Sequence, residues 1–419
     1  MMPMKLLVFA HTPPPHHGQS YMVQLMLNGF GNDCRKPKDK SSGPNRYGLN
    51  CYHVNARFSK SLADVGEFQA SKIPLTLFYC LQAIWCRFRY GVDNFYYVPA
   101  PGKSVALYRD WLVMFLCRPF FKRIILHWHA AGLAKWLETS AQIRTRAVTY
   151  RAFGQAALSI VISNYNVADA EKLLPRRVCV VSNGIPDPCP DFRKSILPRR
   201  QARFAARLKL IANEQPGAGD LEQTGGDPQM VKVLFLAHCT REKGLFAAAQ
   251  AVVAANRILS AQQSLVRMKL FVAGIFVTPE EKVEFDQLQK IPEFGNVVTH
   301  LGFVSGAAKE QVLREADLFC FPTCYLGENQ PVNLIEAMAF GLPIVTTHWR
   351  SLPEMLPANY SGIVAGQSPD EIAKALLSLL TREIGENLRQ NFLNRFTLER
   401  YLTDLAEAIR SVEAQEPPH

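Results

Sequence analysis

Two glutamates near the C-terminal end of the chain are the residues best placed to do chemistry. Glu328 and Glu336 are separated by seven residues in the sequence GENQPVNLIEAMAFGLPIV. Glu328 is predicted to lie in the loop after a buried strand, and Glu336 in the first turns of the next helix. The start of a helix favours an anion, and a carboxylate beside it can bind sugar or ribose hydroxyls. A capping acid followed by an ordinary helix acid is the alternative, but it does not account for the flanking EAMAFGLP.

Other cofactor and metal motifs are missing from the sequence. No GxGxxG follows a predicted strand, which argues against a nicotinamide or flavin site. There is no Asp-x-Asp motif, and the ten cysteines contain no CxxC pair, so no metal site is predicted. We expect the cysteines to be buried free thiols in a reducing compartment.

The elements that must position these residues alternate between strands and helices. Short apolar runs bounded by turns, such as residues 5–10, predict buried parallel strands with helices between them. The sequence therefore predicts an α/β fold of two Rossmann-like, doubly wound domains, residues 1–186 and 231–396. Residues 187–230 are interpreted as a basic linker or insert that contains an amphipathic helix, and residues 397–419 as a C-terminal helix. Because parallel sheets bind ligands at the carboxyl ends of their strands, we expect the function between the two domains.

The segment with Glu328 and Glu336 resembles that of the retaining glycosyltransferases of family 4, which have the GT-B fold. The resemblance covers nearly the whole chain. It implies that Glu328, Asn329 and Gln330 contact the sugar and diphosphate of a nucleotide-sugar donor, while Glu336 binds the nucleotide ribose. It also implies that the C-terminal helix packs back on the N-terminal domain.

The sequence departs from the family where Glu-Gly-Phe-Gly is usual. Residues 328–331 are Glu-Asn-Gln-Pro in this chain. Pro331 cannot donate an N–H, so the contacts to phosphate are expected to shift to Val332 and Asn333.

The segment LAHCTREKGL at residues 236–245 resembles the family's cationic loop. Lys243 falls on the family's lysine, which implies a contact with the donor diphosphate. The family usually has an arginine five residues earlier, where this chain has His238. Arg241 could replace it, and the sequence leaves open which of the two does. In place of a metal, such cations stabilise the charge that grows on the departing diphosphate.

Two further segments resemble parts of the donor site. HLGFV at residues 300–304 resembles the turn whose backbone contacts the nucleobase, which implies this role for Phe303 and Val304. PPPHHGQS at residues 13–20 resembles the loop after the first strand, where a small residue lets the backbone approach the donor. Gly18 is the candidate, and His17 occupies the position of the family's second glycine.

RIILHWHAAG at residues 123–132 resembles the strand that ends in a histidine near the donor sugar. His129 matches this position, whereas His127 is interpreted as a core residue. The resemblance then implies transfer with retention, by front-face displacement assisted by the donor phosphate. Glu328 would position the sugar, His129 would hydrogen-bond to it, and Lys243 would stabilise the leaving group without a metal.

The net charge of +11 is unevenly distributed along the 419 residues. Residues 1–230 carry +15 and residues 231–419 carry −4. Aromatic and basic residues are mixed at 73–89 and 107–122, as at a membrane interface. Nucleic acid is the competing anionic partner, but no nucleic-acid-binding motif is present. No uncharged apolar run reaches the ~18–20 residues of a spanning helix, so we expect a cytoplasmic protein, peripheral on the inner face of the plasma membrane.

These observations predict a metal-independent hexosyl-type glycosyltransferase that uses a nucleotide sugar and a glycan or lipid-linked acceptor in cell-surface polysaccharide synthesis. One alternative is a nucleotide-sugar epimerase, although the paired acid/base carboxylates that it requires are not found in the first half. The other is a catalytically degenerate scaffold protein, for which the departures at His238 and Pro331 leave room.

Overall fold

The computed structural model describes residues 3–14, 18–36, 46–58, 72–100, 104–212, 214–217, 221–222 and 224–413. The chain forms two compact units. The first combines Met1–Ile185 with Phe396–His419, and the second is Pro186–Arg395. Each contains a six-stranded parallel sheet with helices in the connections.

The sheet of the first unit has the strand order β2-β1-β3-β4-β5-β6. Its strands are β1 Met4–Phe9, β2 Leu49–Val54, β3 Asn94–Tyr97, β4 Arg123–Trp128, β5 Leu158–Val161 and β6 Val178–Val180. The helices between them are α1 Gly18–Gly29, α2 Lys72–Tyr90, α3 Ser104–Cys117, α4 Leu133–Thr139, α5 Ile143–Phe153 and α6 Val167–Glu171. Short 3₁₀ turns span Arg118–Phe120 and Asn164–Asn166.

Strand β2 was not predicted from the sequence. Its segment LNCYHV mixes polar residues with apolar ones and lacks the continuous apolar run of the other strands. The structure accommodates His53 by a hydrogen bond between its Nε2 and the carbonyl oxygen of Ala10, at 2.8 Å. Burial lowers the pKa of this histidine, so the ring is kept neutral within the sheet edge.

Helix α16, Leu398–Arg410, belongs to the first unit. Its buried side includes Tyr401, Leu405 and Ile409. Gly184 allows the close approach, because a Cβ atom there would lie 2.3 Å from the carbonyl oxygen of Thr397. The SNGI turn of residues 182–185 is therefore a packing site for the returning chain.

The sheet of the second unit has the strand order β12-β11-β10-β7-β8-β9. Its strands are β7 Met230–Leu236, β8 Arg267–Ala273, β9 Val298–Gly302, β10 Leu318–Phe321, β11 Ile344–Thr347 and β12 Ile363–Val364. The helices are α7 Leu197–Ile211, α8 Leu245–Ala261, α9 Pro279–Gln289, α10 Pro292–Gly295, α11 Gly306–Glu315, α12 Val332–Ala339, α13 Leu352–Met355, α14 Pro369–Leu379 and α15 Gly385–Arg395.

The segment interpreted as a linker or insert contributes to the core of the second unit. A π-helical turn at Phe192–Ile196 leads into α7, as expected from the amphipathic pattern, and residues 213, 218–220 and 223 lie outside the described part. Arg203 and Arg207 are buried, and each places Nη2 against Oδ2 of Asp317, at 2.9 and 2.6 Å. Both guanidinium groups are held by one buried carboxylate inside the unit and are not available to an external anion.

Two other arginines of α7 contact backbone oxygens of the same unit. Arg199 donates from Nη2 to the carbonyl oxygen of Arg314 at 2.6 Å, and Arg200 donates to those of Phe340 and Leu313. Phe340 and Arg314 lie at the C-terminal ends of α12 and α11, where carbonyl groups lack helical partners. Much of the basic character of residues 187–230 therefore serves the fold.

We predict that Asp317→Ala destabilises the second unit strongly, because it leaves two buried guanidinium groups without their counterion. The expected loss in the free energy of unfolding is about 3–5 kcal/mol, measured from native-state hydrogen exchange of the β7 and β10 amides. Glu315→Ala is the matched control, since Glu315 is 40% exposed and pairs with Lys232 at 2.8 Å. The control variant should lose less than about 1 kcal/mol of the free energy of unfolding. Equal losses in both variants would contradict this account.

Candidate functional site

The order of strands reverses between β7 and β10 in the second sheet, which makes their carboxyl ends the topological switch point. In open α/β sheets the crevice at such a point is where ligands bind. The loop after β7 contains Lys243, and the loop after β10 contains Glu328. The fold thus brings together two predicted site residues that are 85 positions apart in the chain.

Lys243 and Glu328 form a largely buried ion pair at this edge. The Nζ atom of Lys243 donates to Oε2 of Glu328 at 2.6 Å, and the side chains are 17% and 8% exposed. Thr323, fully buried, donates its hydroxyl to the same carboxylate oxygen at 3.2 Å. The ammonium group also lies 4.5 Å from the ring centre of Tyr325. A lysine held this way is a fixed cation at the switch point.

The two loops are joined through their backbones. Cys324 donates its N–H to the carbonyl oxygen of Glu242 at 2.7 Å. Gly244 has a φ of +87°, and a Cβ atom on it would lie 2.3 Å from the carbonyl oxygen of Pro322. Only glycine satisfies both demands. The Lys-Gly pair therefore combines the cation with the residue that lets its loop approach the neighbouring one.

Helix α12 begins directly beyond the Glu328 loop. Pro331 is the residue before the helix and has no side-chain cap, so Val332 and Asn333 supply the first backbone N–H groups. Such groups have no partner within a helix. Asn333 donates from Nδ2 to the carbonyl oxygen of Leu236 at 2.6 Å, which ties the helix start to the end of β7. The start of α12 thus lies at the switch point.

Asn329 and Gln330 are buried residues, 2% and 7% exposed. Ser351 donates its hydroxyl to the carbonyl oxygen of Asn329 and so holds the loop from the opposite side. These contacts give the residues between Glu328 and α12 a defined backbone path.

Glu336 lies on α12, where it pairs with a lysine that the sequence did not single out. Lys309 on α11 donates from Nζ to Oε1 of Glu336. Burial raises the pKa of Glu336, while Lys309 acts in the opposite direction. Nothing in the local sequence GAAKE distinguishes Lys309, since the contact arises only when α11 and α12 come together.

The turn after β9 contains Phe303 and Val304. Phe303 is 63% exposed, and Val304 is partly buried. Gly302 precedes them with a φ of +72°, and the turn leads into α11, the helix that bears Lys309. The turn is therefore close in the chain to Lys309, the partner of Glu336.

The two candidates for the second cation have different surroundings. Arg241 binds Glu284 through both carboxylate oxygens, at 2.5 and 2.6 Å, and its backbone N–H donates to Glu281. Burial lowers the pKa of His238, with Lys243 lowering it further and Glu328 raising it. His238 thus shares the electrostatic environment of the Lys243–Glu328 pair as a neutral ring, whereas Arg241 is engaged by α9.

Gly18 and His129 lie in the first unit, and both follow strands of its sheet. Gly18 is exposed and begins α1, while residues 15–17, including His17, are outside the described residues. His129 follows β4, and its ring centre lies 4.2 Å from that of His127. His127 is fully buried, bonded to the Tyr96 hydroxyl, and burial holds its pKa well below the usual value.

The loop that carries His129 is held in place from α6 and the turn before it. Asn166 donates from Nδ2 to the carbonyl oxygen of Ala130 at 2.9 Å. Asp169 accepts from the N–H groups of Gly132 and Ala134, at 2.6 and 2.7 Å, and so caps α4. These anchors fix the backbone on the C-terminal side of His129.

Among the described residues, no group of three His, Cys, Asp or Glu side chains is arranged to hold a metal ion. All ten cysteines are free, and seven of them are buried. Of the helices that the structure describes, none is both long and apolar enough to cross a bilayer.

The part of the chain that contains the second unit's site matches a known protein family. Residues 221–416 match the family model of glycosyl transferases group 1. This span, somewhat under half of the chain, contains Lys243, Glu328 and Glu336. The amylovoran biosynthesis glycosyltransferase AmsK of Erwinia amylovora is 30% identical over 158 residues, which are 37% of this chain and 36% of AmsK. The alignment therefore spans about a third of that relative.

Solved structures share the fold over almost the whole chain. Sucrose-phosphate synthase from Thermosynechococcus elongatus gives a TM-score of 0.66 at 16% identity, covering 99% of this chain and 100% of that chain. The UDP complex of HepE from Anabaena gives a TM-score of 0.63 at 16% identity, and the match covers 97% of this chain and 100% of that chain. The predicted fold class, two Rossmann-like α/β domains of the GT-B type, is confirmed.

We predict that Lys309→Met raises the pKa of Glu336 further, because the carboxyl stays buried and loses the cation that opposes the effect of burial. Carbon-detected NMR titration of the glutamate side chains measures this, with Glu336→Gln assigning the resonance. Lys282→Met is the control, since Lys282 pairs with Asp286 on the exposed face of α9. A Glu336 pKa that stays constant or falls in Lys309→Met would show that the ion pair does not form.

Proposed function

We propose that this protein is a retaining glycosyltransferase that moves a hexosyl group from a nucleotide-diphosphate sugar to a hydroxyl of its acceptor. The observation that carries the proposal is the Lys243–Glu328 pair beside the start of α12 at the switch point of the second sheet. A cation and free helical N–H groups suit a diphosphate. The family match and the UDP complex of a structural neighbour support the same donor class.

The proposed donor site uses residues on both sides of this pair. The diphosphate is bound by Lys243 and by the N–H groups of Val332 and Asn333. Glu336 accepts hydrogen bonds from the ribose hydroxyls, and the backbone of Phe303 and Val304 contacts the base. Asn329 and Gln330 shape the path of the loop around the sugar. Glu328 accepts hydrogen bonds from the hydroxyls of that sugar. Gly18 has no side chain, so the donor phosphate can approach the backbone of the loop after β1.

The proposed reaction is a front-face displacement. The bond between the anomeric carbon and the phosphate oxygen breaks, and the acceptor hydroxyl bonds to the same face of that carbon. The hydroxyl proton passes to the departing phosphate oxygen, so no enzymic nucleophile is required. Lys243 and the start of α12 stabilise the growing negative charge, His129 donates a hydrogen bond to the donor sugar, and no metal ion takes part.

The proposed acceptor is a glycan or a lipid-linked glycan in cell-surface polysaccharide synthesis. AmsK, whose name states a role in amylovoran biosynthesis, supports this class of product. The basic first half of the chain supports an anionic surface as the place of the reaction. We accordingly propose a peripheral location on the cytoplasmic face of the plasma membrane.

Two substitutions should separate binding of the donor from stabilisation of the leaving group. We expect Glu336→Ala to weaken donor binding about 10- to 100-fold, the effect of losing hydrogen bonds to a charged group, with little change in kcat. Lys243→Ala should lower kcat as well, by about 10²–10³. The measurements are thermal-shift titrations across nucleoside diphosphates and their sugars, followed by transfer kinetics with the best donor.

The melting temperature of each apo variant shows whether it folds, and added EDTA tests the independence from metal. Wild-type affinity and rate in both folded variants would refute the assignment. Formation of an epimer of the donor sugar in the absence of acceptor would instead favour the epimerase alternative.

The second contact to the diphosphate is proposed to come from His238 rather than Arg241. His238→Ala should weaken nucleoside-diphosphate binding about tenfold, as expected for a lost hydrogen bond to an anion. Arg241→Ala is the matched control and should change the affinity for the nucleoside diphosphate less than twofold, because Glu284 already binds the guanidinium group. Calorimetric titration with the nucleoside diphosphate measures the affinity of both variants. The reverse ranking would assign the role to Arg241.

A further inference from the structure

Helix α2 carries a row of apolar side chains that the first unit leaves exposed. Ile73, Leu77, Leu81, Trp85 and Phe88 follow one another at intervals of three or four residues, which places them on one face. Their exposures are 46%, 40%, 67%, 53% and 68%. The opposite face, with Thr76, Cys80, Ala83 and Cys86, is buried. The helix is therefore apolar on both sides, and its sheet covers one of them.

The exposed row continues beyond the helix. The Phe88 ring centre lies 6.0 Å from that of Phe120, which is itself 41% exposed. Arg87 donates from Nε to the carbonyl oxygen of Phe120 at 2.8 Å and so joins α2 to this turn. We call Ile73, Leu77, Leu81, Trp85, Phe88 and Phe120 the apolar face. Contiguous exposed apolar surface of this kind marks an interaction site.

The charges around the apolar face are predominantly positive. Residues 72–100 and 104–123 contain two acids, Asp93 and Asp110. Asp110 is fully buried and pairs with Arg109, and Asp93 pairs with Arg87 and Lys122 at 2.6 and 3.3 Å. The same residues contain seven basic side chains, namely Lys72, Arg87, Arg89, Arg109, Arg118, Lys122 and Arg123. Arg109 bonds to Asp110, and Arg118 donates to the carbonyl oxygens of Ala152 and Gly154, so these two serve the fold of the first unit.

We propose that the apolar face of α2 docks this protein on an anionic lipid bilayer, with the helix lying in the plane of the interface. Leu81, Trp85 and Phe88 would enter the headgroup and acyl boundary, while arginine and lysine side chains at its margin pair with lipid phosphates. The proposal rests on the membrane location proposed above and assigns it to a surface.

The distribution of charge favours a bilayer over a second copy of the chain. Two copies that met through this face would bring their positive margins together, whereas an anionic bilayer supplies the opposite charge. Trp85 and Phe88 at the end that bears Arg87 and Arg89 match the aromatic and cationic composition of interfacial helices.

Flotation of the full chain with vesicles tests the proposal. The wild type should float with phosphatidylcholine vesicles that contain phosphatidylglycerol, and binding should fall at high salt. The double variant Leu81→Glu, Trp85→Glu should reduce the bound fraction at least tenfold. The control is Val283→Glu on α9 of the second unit, a position that is 56% exposed, and it should float like the wild type.

Trp85 is also an internal probe of insertion. Anionic vesicles should shift its fluorescence to shorter wavelength, and Trp85→Phe should lose that shift while still floating. This second variant keeps an apolar side chain, so it separates insertion at this face from any effect of the glutamates on folding.

Three results would overturn the docking surface. They are failure of the wild type to bind anionic vesicles at any salt concentration, equal flotation of the double variant, and a dimer in sedimentation that Leu81→Glu dissolves. The nucleoside-diphosphate thermal shift is measured in the same variants. If it persists while flotation fails, the membrane surface is wrong and the proposed donor chemistry stands; if it is absent in every protein, the donor chemistry fails independently.

Discussion

The contact between Lys243 and Glu328 is the interaction around which the second unit's site is arranged. It joins the loops after β7 and β10, the two strands that flank the switch point. Because the carboxylate is buried and the ammonium group is only partly exposed, the contact fixes the position of both charges. The close approach at Gly244 and the tie from Asn333 to β7 place the cation and the start of α12 at the same edge of the sheet. That combination underlies the proposed binding of a diphosphate.

The structure also changes the meaning of the positive charge in the first half of the chain. Arg199, Arg200, Arg203 and Arg207 are used within the second unit, where they contact carbonyl oxygens or the buried Asp317. Near α2, Arg109 and Arg118 are likewise used within the first unit, whereas Arg87 and Arg89 lie on the helix that carries the exposed Trp85 and Phe88. A net charge counted from sequence does not distinguish these two uses, because they differ only in burial and partners.

Local patterns were sufficient to predict the alternation of strands and helices and the two-domain fold. The sequence also marked Glu328, Glu336 and Lys243, since each stands in a distinctive short motif. Lys309 was missed because it and Glu336 are 27 positions apart on two different helices, so their contact leaves no local pattern. Strand β2 was missed because His53 is made acceptable by a tertiary hydrogen bond to Ala10. The proposal of His238 over Arg241 likewise rests on a tertiary contact, the ion pair of Arg241 with Glu284 on α9.

The central claim is that a nucleoside diphosphate binds at the switch point between β7 and β10. A crystal structure of the complex with the nucleoside diphosphate that gives the largest thermal shift tests it most directly. The account predicts phosphate oxygens within hydrogen-bond distance of Lys243 Nζ and the N–H groups of Val332 and Asn333, with the ribose at Glu336. A nucleotide bound elsewhere in either unit, with the Lys243–Glu328 pair free of ligand, would contradict it.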